Sequence, residues 1–297
     1  MLVVLGACIV AAGVVAGVAT GLTAAGSGRP GPARSVAIGA DRESPGDRLN
    51  AVGHRDPFAA AAWYLSGRAG TVVASVYDIA TGQTWRLGGG QPQAAASVVK
   101  LDVLETLLAE QGQGIGLSAG DRSLAEQMIE DSDNDAATSL WYEVGGAAKI
   151  RSFNAEAGLT HTVPSSCVAC PGFSWPGWGL TTTTPDDQIT LLKQLVTPGS
   201  LLTSTERAYA LSLMEDVSPS QRWGVSGGVP AQVTVALKDG WLPLRGTGSD
   251  WQINSVGWVC GGGRNYLMAV LTTGNPTERY GVDTIDQLAA MAWQDLG

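Results

Sequence analysis

Strand-forming sequence in this chain comes in two blocks held apart by a long helical stretch, and that order narrows the folds open to it. Thr71–Ile79 alternates valines with small residues, Thr81-Gly82-Gln83 makes a tight turn, and Thr84–Leu87 returns as the second strand of a hairpin. The other strands, Val233–Leu237, Trp251–Val259 and Tyr266–Thr272, all lie in the last third. Between the blocks, helices are predicted from Ser97 onward and over Asp121–Glu130, Asp135–Val144, Ala147–Ala157, Asp187–Val196 and Ser204–Val217. A short helical segment, Phe58–Ser66, leads in, and an amphipathic helix, Tyr280–Leu296, closes the chain. That order suggests an α/β fold: an antiparallel five-stranded sheet flanked by helices, with an inserted all-helical lobe. A long loop, Gly158–Gly179, interrupts the helical part, and loops of that length in a compact domain are usually functional.

The whole chain has 297 residues and is 44% apolar, enough for a substantial core. A formal charge of −9 excludes nucleic acid as a partner, because nothing here neutralises a phosphate backbone. A monomer acting on a small-molecule or peptidic substrate fits better. Residues 1–25 carry no charge and read as an apolar signal or anchor segment, either retained or cleaved near Thr23-Ala24-Ala25. A basic leader is missing, and Arg29 and Arg34 follow the segment instead. Leu5-Gly6-Ala7-Cys8 resembles a lipoprotein cleavage box, though it lies close to the start. Residues 26–56, rich in Gly, Pro, Ser, Arg and Asp, read as a flexible linker containing His54, which leaves 57–297 as the folded domain. The expected location is extracytoplasmic, membrane-anchored through the N-terminal segment or secreted. In such an oxidising compartment Cys167 and Cys170 are expected to form a local disulfide, with Cys260 free. His161 is the only histidine near that pair, so no metal and no cofactor are expected.

Three short motifs carry chemistry. Ser97-Val98-Val99-Lys100 sits where a loop turns into a helix whose Leu101, Leu104, Leu107 and Leu108 mark a buried side. Serine and lysine three residues apart share a helix face, so the amine is placed to take the hydroxyl proton. The plainer alternative is a helix start with a solvated lysine. Ser132-Asp133-Asn134 joins two helices; it reads as a helix cap, and equally as a rigid mount for a proton-shuttling hydroxyl and a substrate-clamping amide. Lys238-Asp239-Gly240 follows an alternating strand. Asp-Gly signals a hairpin turn. On the functional alternative the strand runs past Lys238 and turns around Pro243–Gly248. Lys238 then meets a substrate carboxylate, Gly240 lets the ligand approach the backbone, and the N–H groups of Ser97 and Trp241 form an oxyanion hole.

The ordered set Ser-x-x-Lys, Ser-Asp-Asn and Lys-x-Gly resembles the serine β-lactamase-like hydrolases, the family of class A β-lactamases and penicillin-binding proteins. The opening hairpin, the Thr182-Thr183-Thr184-Pro185 helix start and Pro230-Ala231 ahead of Lys238 extend the likeness over nearly all of 57–297. The resemblance implies that Ser97 is acylated by a β-lactam or a cell-wall D-alanyl peptide and that Lys100 acts as base. Ser132 would then pass the proton to the leaving nitrogen, while Asn134 and Lys238 hold the substrate.

Several positions depart from the pattern. Efficient class A enzymes carry a loop glutamate that activates the deacylating water, whereas here no Asp or Glu stands between Glu156 and Asp186. Asp239 replaces the usual Ser or Thr, and Ser132 follows Ser97 by only 35 positions. Arg222, Arg245 and Arg264 are the candidates for the family's carboxylate clamp. Three functions stay open: a serine hydrolase acting on a β-lactam, cell-wall peptide or related amide or ester; a β-lactamase with an unorthodox deacylating base, His161 being a candidate; and a catalytically silent module binding peptidoglycan or a protein. Trp175, Trp178 and Trp241 could line its cleft.

Overall fold

The structure, a computed structural model, describes residues 55–111, 115–173, 175–244 and 250–297. The apolar segment, nearly all of the linker, Cys8, His54 and Arg245 lie outside the described residues.

Five strands form one antiparallel sheet. β1 (Thr71–Asp78) and β2 (Thr84–Leu87) make the predicted hairpin. Two further residues on each side, β3 (Gln93–Ala94) and β4 (Thr182–Thr183), pair as a separate small ribbon. β5 (Thr234–Pro243), β6 (Trp251–Gly261) and β7 (Arg264–Asn275) complete the main sheet in the order β2-β1-β7-β6-β5. The early hairpin and the late meander therefore meet along β1 and β7, eight residue pairs from Thr71↔Thr273 to Asp78↔Tyr266.

The helices are α1 (Ala61–Leu65), α2 (Val99–Gln111), α3 (Ala119–Glu130), α4 (Asn134–Glu143), α5 (Gly146–Ala157), α6 (Pro185–Val196), α7 (Ser204–Glu215) and α8 (Glu278–Asp295). Local chemistry sets their starts. Asp133 caps α4 through the Ala136 N–H, and Thr184 caps α6 through the Asp187 N–H with Pro185 in the first turn. Thr203 and Glu206 form a reciprocal capping box at α7. Two apolar clusters result. One joins α2 to the surrounding helices and includes Leu104, Met128, Ile129, Leu140, Ile150 and Leu191. The other packs α8 on the opposite face of the sheet through Val76, Val259, Met268, Ile285 and Leu288.

Lys238-Asp239-Gly240 is strand, as the functional alternative required, and not a hairpin turn: β5 continues through it in register with β6, Lys238 opposite Val256 and Gly240 opposite Asn254. The structure corrects the sequence reading in three places. Helix α2 is buried on all sides rather than one, so Lys100, Asp102 and Glu105 are buried with its leucines. Ser97 precedes α2, in a short 3-10 turn spanning Ala96–Val98. Cys260 is disulfide-bonded, not free, while the expected Cys167–Cys170 disulfide is present. Among the described residues no helix is long and apolar enough to cross a membrane.

Candidate active site

The turn that carries Ser97 is fixed from three directions. Ala96 adopts a left-handed conformation, φ 50°, which an alanine takes up only when its surroundings compel it. From β6, the buried Asn254 amide donates to the carbonyls of Ala94 (2.9 Å) and Ala95 (2.8 Å). From β5, Gly240 lies against the turn so closely that an added Cβ would sit 2.7 Å from Ser97 N and 2.8 Å from Val98 N. Gly240 therefore serves approach of the strand edge to the Ser97 backbone, a role only glycine fills.

Lys100 is wholly buried, and its amine donates to the Ser132 carbonyl oxygen and to Asn134 Oδ1 at 2.8 Å. The Ser132 hydroxyl lies 3.0 Å from Lys100 Nζ and 3.0 Å from Lys238 Nζ, so one oxygen stands between two amines. Ser132 itself is left-handed, φ 56°, directing its carbonyl and hydroxyl inward together. Burial, followed by the neighbouring Lys238, lowers the Lys100 pKa to about 6, so this amine is largely neutral at pH 7. Burial lowers Lys238 to about 8, with the Asp239 carboxylate acting in the opposite sense. Two lysines of the same chemistry thus sit on opposite sides of neutrality.

Ser97 borders the cavity that this network feeds. Its volume is about 190 Å³, and Ser97, Ser132, Asn134, Trp175, Trp178 and Trp241 are among its walls. Among the described residues the Ser97 hydroxyl makes no hydrogen bond; Lys100 spends its donors on the better acceptors of the Ser132 and Asn134 carbonyl groups. Unliganded sites often hold such contacts long until substrate arrives.

Three features were not legible beforehand. The Trp178 ring covers Lys100, with Nζ 5.0 Å from its centroid, and the indole N–H donates to Thr138 Oγ1 at 3.2 Å. Asn254, in the middle of an apolar strand, had no motif to announce it. Asp239 faces away from the cavity, accepting from the Trp223 N–H at 3.2 Å, because alternate residues of β5 point to opposite faces. Its carboxylate therefore does not line the ligand side, and burial raises its pKa well above the usual range.

The remaining candidates fall elsewhere. His161 is 65% exposed and lines a different cavity, beside Arg86 and Gly88–Gly90, so it is not a wall of the Ser97 cavity. Arg222 bonds to the Glu215 carbonyl oxygen in a third cavity, and Arg264 bonds to that of Trp293 at the far end of β7. No charged side chain is found among the described walls of the Ser97 cavity.

With this geometry in hand, comparison with known proteins decides the family: the model of the Beta-lactamase enzyme family matches residues 107–296. The chain belongs to the beta-lactamase enzyme family. The match begins beyond Ser97 and Lys100, so those two stand on the sequence motif and the geometry. A protein of Mycobacterium tuberculosis bearing the name lipoprotein LppW is 30% identical over 207 residues, covering 67% of this chain and 62% of its own length. Its Mycobacterium bovis counterpart matches equally. The chain thus spans less than two thirds of these curated relatives. Among solved structures, the TLA-1 extended-spectrum beta-lactamase superposes with a TM-score of 0.70 at 17% identity, covering 81% of this chain and 98% of that one. A class A beta-lactamase from Mycobacterium abscessus gives 0.65 at 21%, covering 78% and 96%. A mutant of PBP-A in its acyl-enzyme complex with penicillin G gives 0.64 at 23%, covering 77% and 91%. These likenesses establish the class A beta-lactamase fold.

Proposed function

We propose that this beta-lactamase-family protein is an extracytoplasmic serine hydrolase, held at the membrane through its N-terminal segment or released from it, that forms an acyl-enzyme at Ser97. Neutral Lys100 accepts the Ser97 proton as Oγ attacks the carbonyl carbon of a β-lactam, cell-wall peptide or related amide or ester. The N–H groups of Ser97 and Trp241 receive the developing oxyanion. The C–N bond then breaks, the leaving nitrogen taking a proton from the Ser132 hydroxyl, which Lys100 replenishes. The Asn134 amide, a wall of the cavity, holds the substrate, and charged Lys238, buried behind Ser132, adds positive potential there without lining the cavity. The observation that carries this reading is the buried Lys100 amine, lowered to about 6 and 3.0 Å from a hydroxyl shared with Lys238.

Hydrolysis of the ester is the slow step on this reading. No carboxylate is found among the described walls of the cavity, and Trp178 covers the lysine. Lack of a positioned base costs about 10²–10⁴ in rate. The protein then binds penicillin covalently rather than destroying it. The test is to incubate the full chain with a reporter penicillin and follow intact mass. A lasting adduct absent from Ser97→Ala is expected. Rapid adduct turnover would replace this reading with that of a true β-lactamase, and no adduct at any concentration would leave only a binding module.

A further inference from the structure

One large apolar side chain stands outside both clusters of the fold. Trp63, on α1, is 83% exposed, more than any other exposed large apolar residue among those described. The helix beneath it is held down: Phe58 and Ala61 are buried in the cluster that contains α8, and Tyr64 and Leu65 pack against that cluster. The turn after α1 is pinned as well. Arg68 lies over the Tyr280 ring, 3.5 Å from its centroid, and donates to Thr284 Oγ1 at 3.0 Å, while the Ala69 N–H donates to the Tyr280 hydroxyl at 2.7 Å. A fixed platform therefore presents the indole. From Pro57 to Gly67 no residue carries a charge, and Ala59, Ala60 and Ala62 are exposed beside Trp63. Arg55 and Asp56 precede this stretch and Arg68 follows it.

We propose that α1 docks on the bilayer that carries the N-terminal segment, with the Trp63 indole seated at the boundary between headgroups and acyl chains. The proposal rests on the membrane-held form of the reading above. An indole has an apolar body and a single N–H donor, the combination that collects at this boundary. Burial of one aromatic side chain favours the docked state by roughly tenfold to a hundredfold. For a dissolved protein a preference of that size is lost in dilution. Position changes the balance here. Residues 26–56, read from composition as a linker, join the apolar segment to the residues just ahead of α1, and a chain of about 30 residues reaches at most about 100 Å. A surface layer about 10 Å deep is roughly a tenth of that reach, so a preference of the stated size is enough to populate the docked state. The Ser97 cavity is left clear, because α1 packs with α8 on one face of the sheet and α2 belongs to the cluster on the other.

The test reconstitutes the full chain in phosphatidylcholine vesicles whose acyl chains are either plain or brominated near the glycerol end, since bromine quenches indole emission on contact. None of the ten tryptophans precedes Trp63, so quenching reports the folded domain and not the apolar segment. Emission in brominated relative to plain vesicles is expected to fall by up to about a tenth for the native chain, one indole in ten. In Trp63→Phe the two emissions should be equal, and the melting temperature should stay within a few degrees of native because the side chain is exposed. Flotation of the native chain with the vesicles but without quenching overturns the docking and leaves the anchored reading standing. Equal quenching in the native and Trp63→Phe chains assigns the contact to another tryptophan and overturns it too. A native chain that does not float with the vesicles removes the anchored reading and the docking with it.

Discussion

Ser132 Oγ is where the electrostatics of the site concentrate. With Lys100 lowered to about 6 and Lys238 to about 8, acylation needs the first amine uncharged and the second charged. The acylation rate should therefore rise as pH climbs through about 6 and fall beyond about 8. Measuring adduct formation from pH 5 to 9.5 checks this; a flat profile above pH 5 would remove Lys100 as base. Gly240 offers a second check at the same scale. An alanine methyl there would press on Ser97 N and Val98 N at 2.7 and 2.8 Å, displacing the Ser97 N–H meant for the oxyanion. Gly240→Ala is expected to slow acylation by about 10²–10³ while leaving the melting temperature within a few degrees, and unchanged acylation would argue against the oxyanion-hole assignment. Much of this was legible as spacing: Ser97, Lys100, Ser132, Asn134, Lys238 and Gly240 all converge. What spacing could not give was the partner of each group. Whether Lys100 bonds to Ser97 or Ser132 depends on which carbonyls the fold brings within reach, and those come from another helix.

Among the elements, α2 departs most from its sequence. Its leucines mark one buried side, yet the lobe wraps it completely, enclosing Asp102 and Glu105 as well. Asp102 accepts from the Asn154 amide at 2.9 Å, and burial raises its pKa from 3.8 to about 7. The folded protein thus holds a proton on Asp102 that the unfolded chain has released between those values, so this group's contribution to stability falls as pH rises from about 4 to about 7. Asp102→Asn keeps an acceptor for Asn154 and removes the titration. It should match the native protein near pH 4 and exceed it by up to about 4 kcal/mol above pH 7, as measured by denaturant unfolding. Parallel pH curves for the two proteins would disprove the assignment. The reach of β5 was ambiguous for a related reason: Asp239-Gly240 is a local turn signal, overridden by ten residues of pairing with β6 that no local window contains. Two-residue strands such as β3 and β4 carry no periodicity at all.

At the scale of the molecule, the sequence order of strands and helices was enough to predict a five-stranded antiparallel sheet with a helical lobe, because apolar periodicity is strong in the long elements. The site lies at the seam. Ser97 comes from the 3-10 turn ahead of the central helix and Lys100 from that helix's first turn, Ser132 and Asn134 from the lobe, and Lys238, Gly240 and Trp241 from the sheet edge. The conformation of the long loop was not legible, since it is set by a disulfide and three aromatic rings rather than by any repeat.

The small ribbon of β3 and β4 ties the end of that loop to the residues just ahead of Ser97, and the Ala95 N–H donates to the Thr181 carbonyl oxygen at 2.7 Å. Loop and nucleophile are thereby yoked. On the proposed function, a change in the loop that improved release of the acyl group would also move the Ser97 oxygen, so gain in one half-reaction would be set against loss in the other.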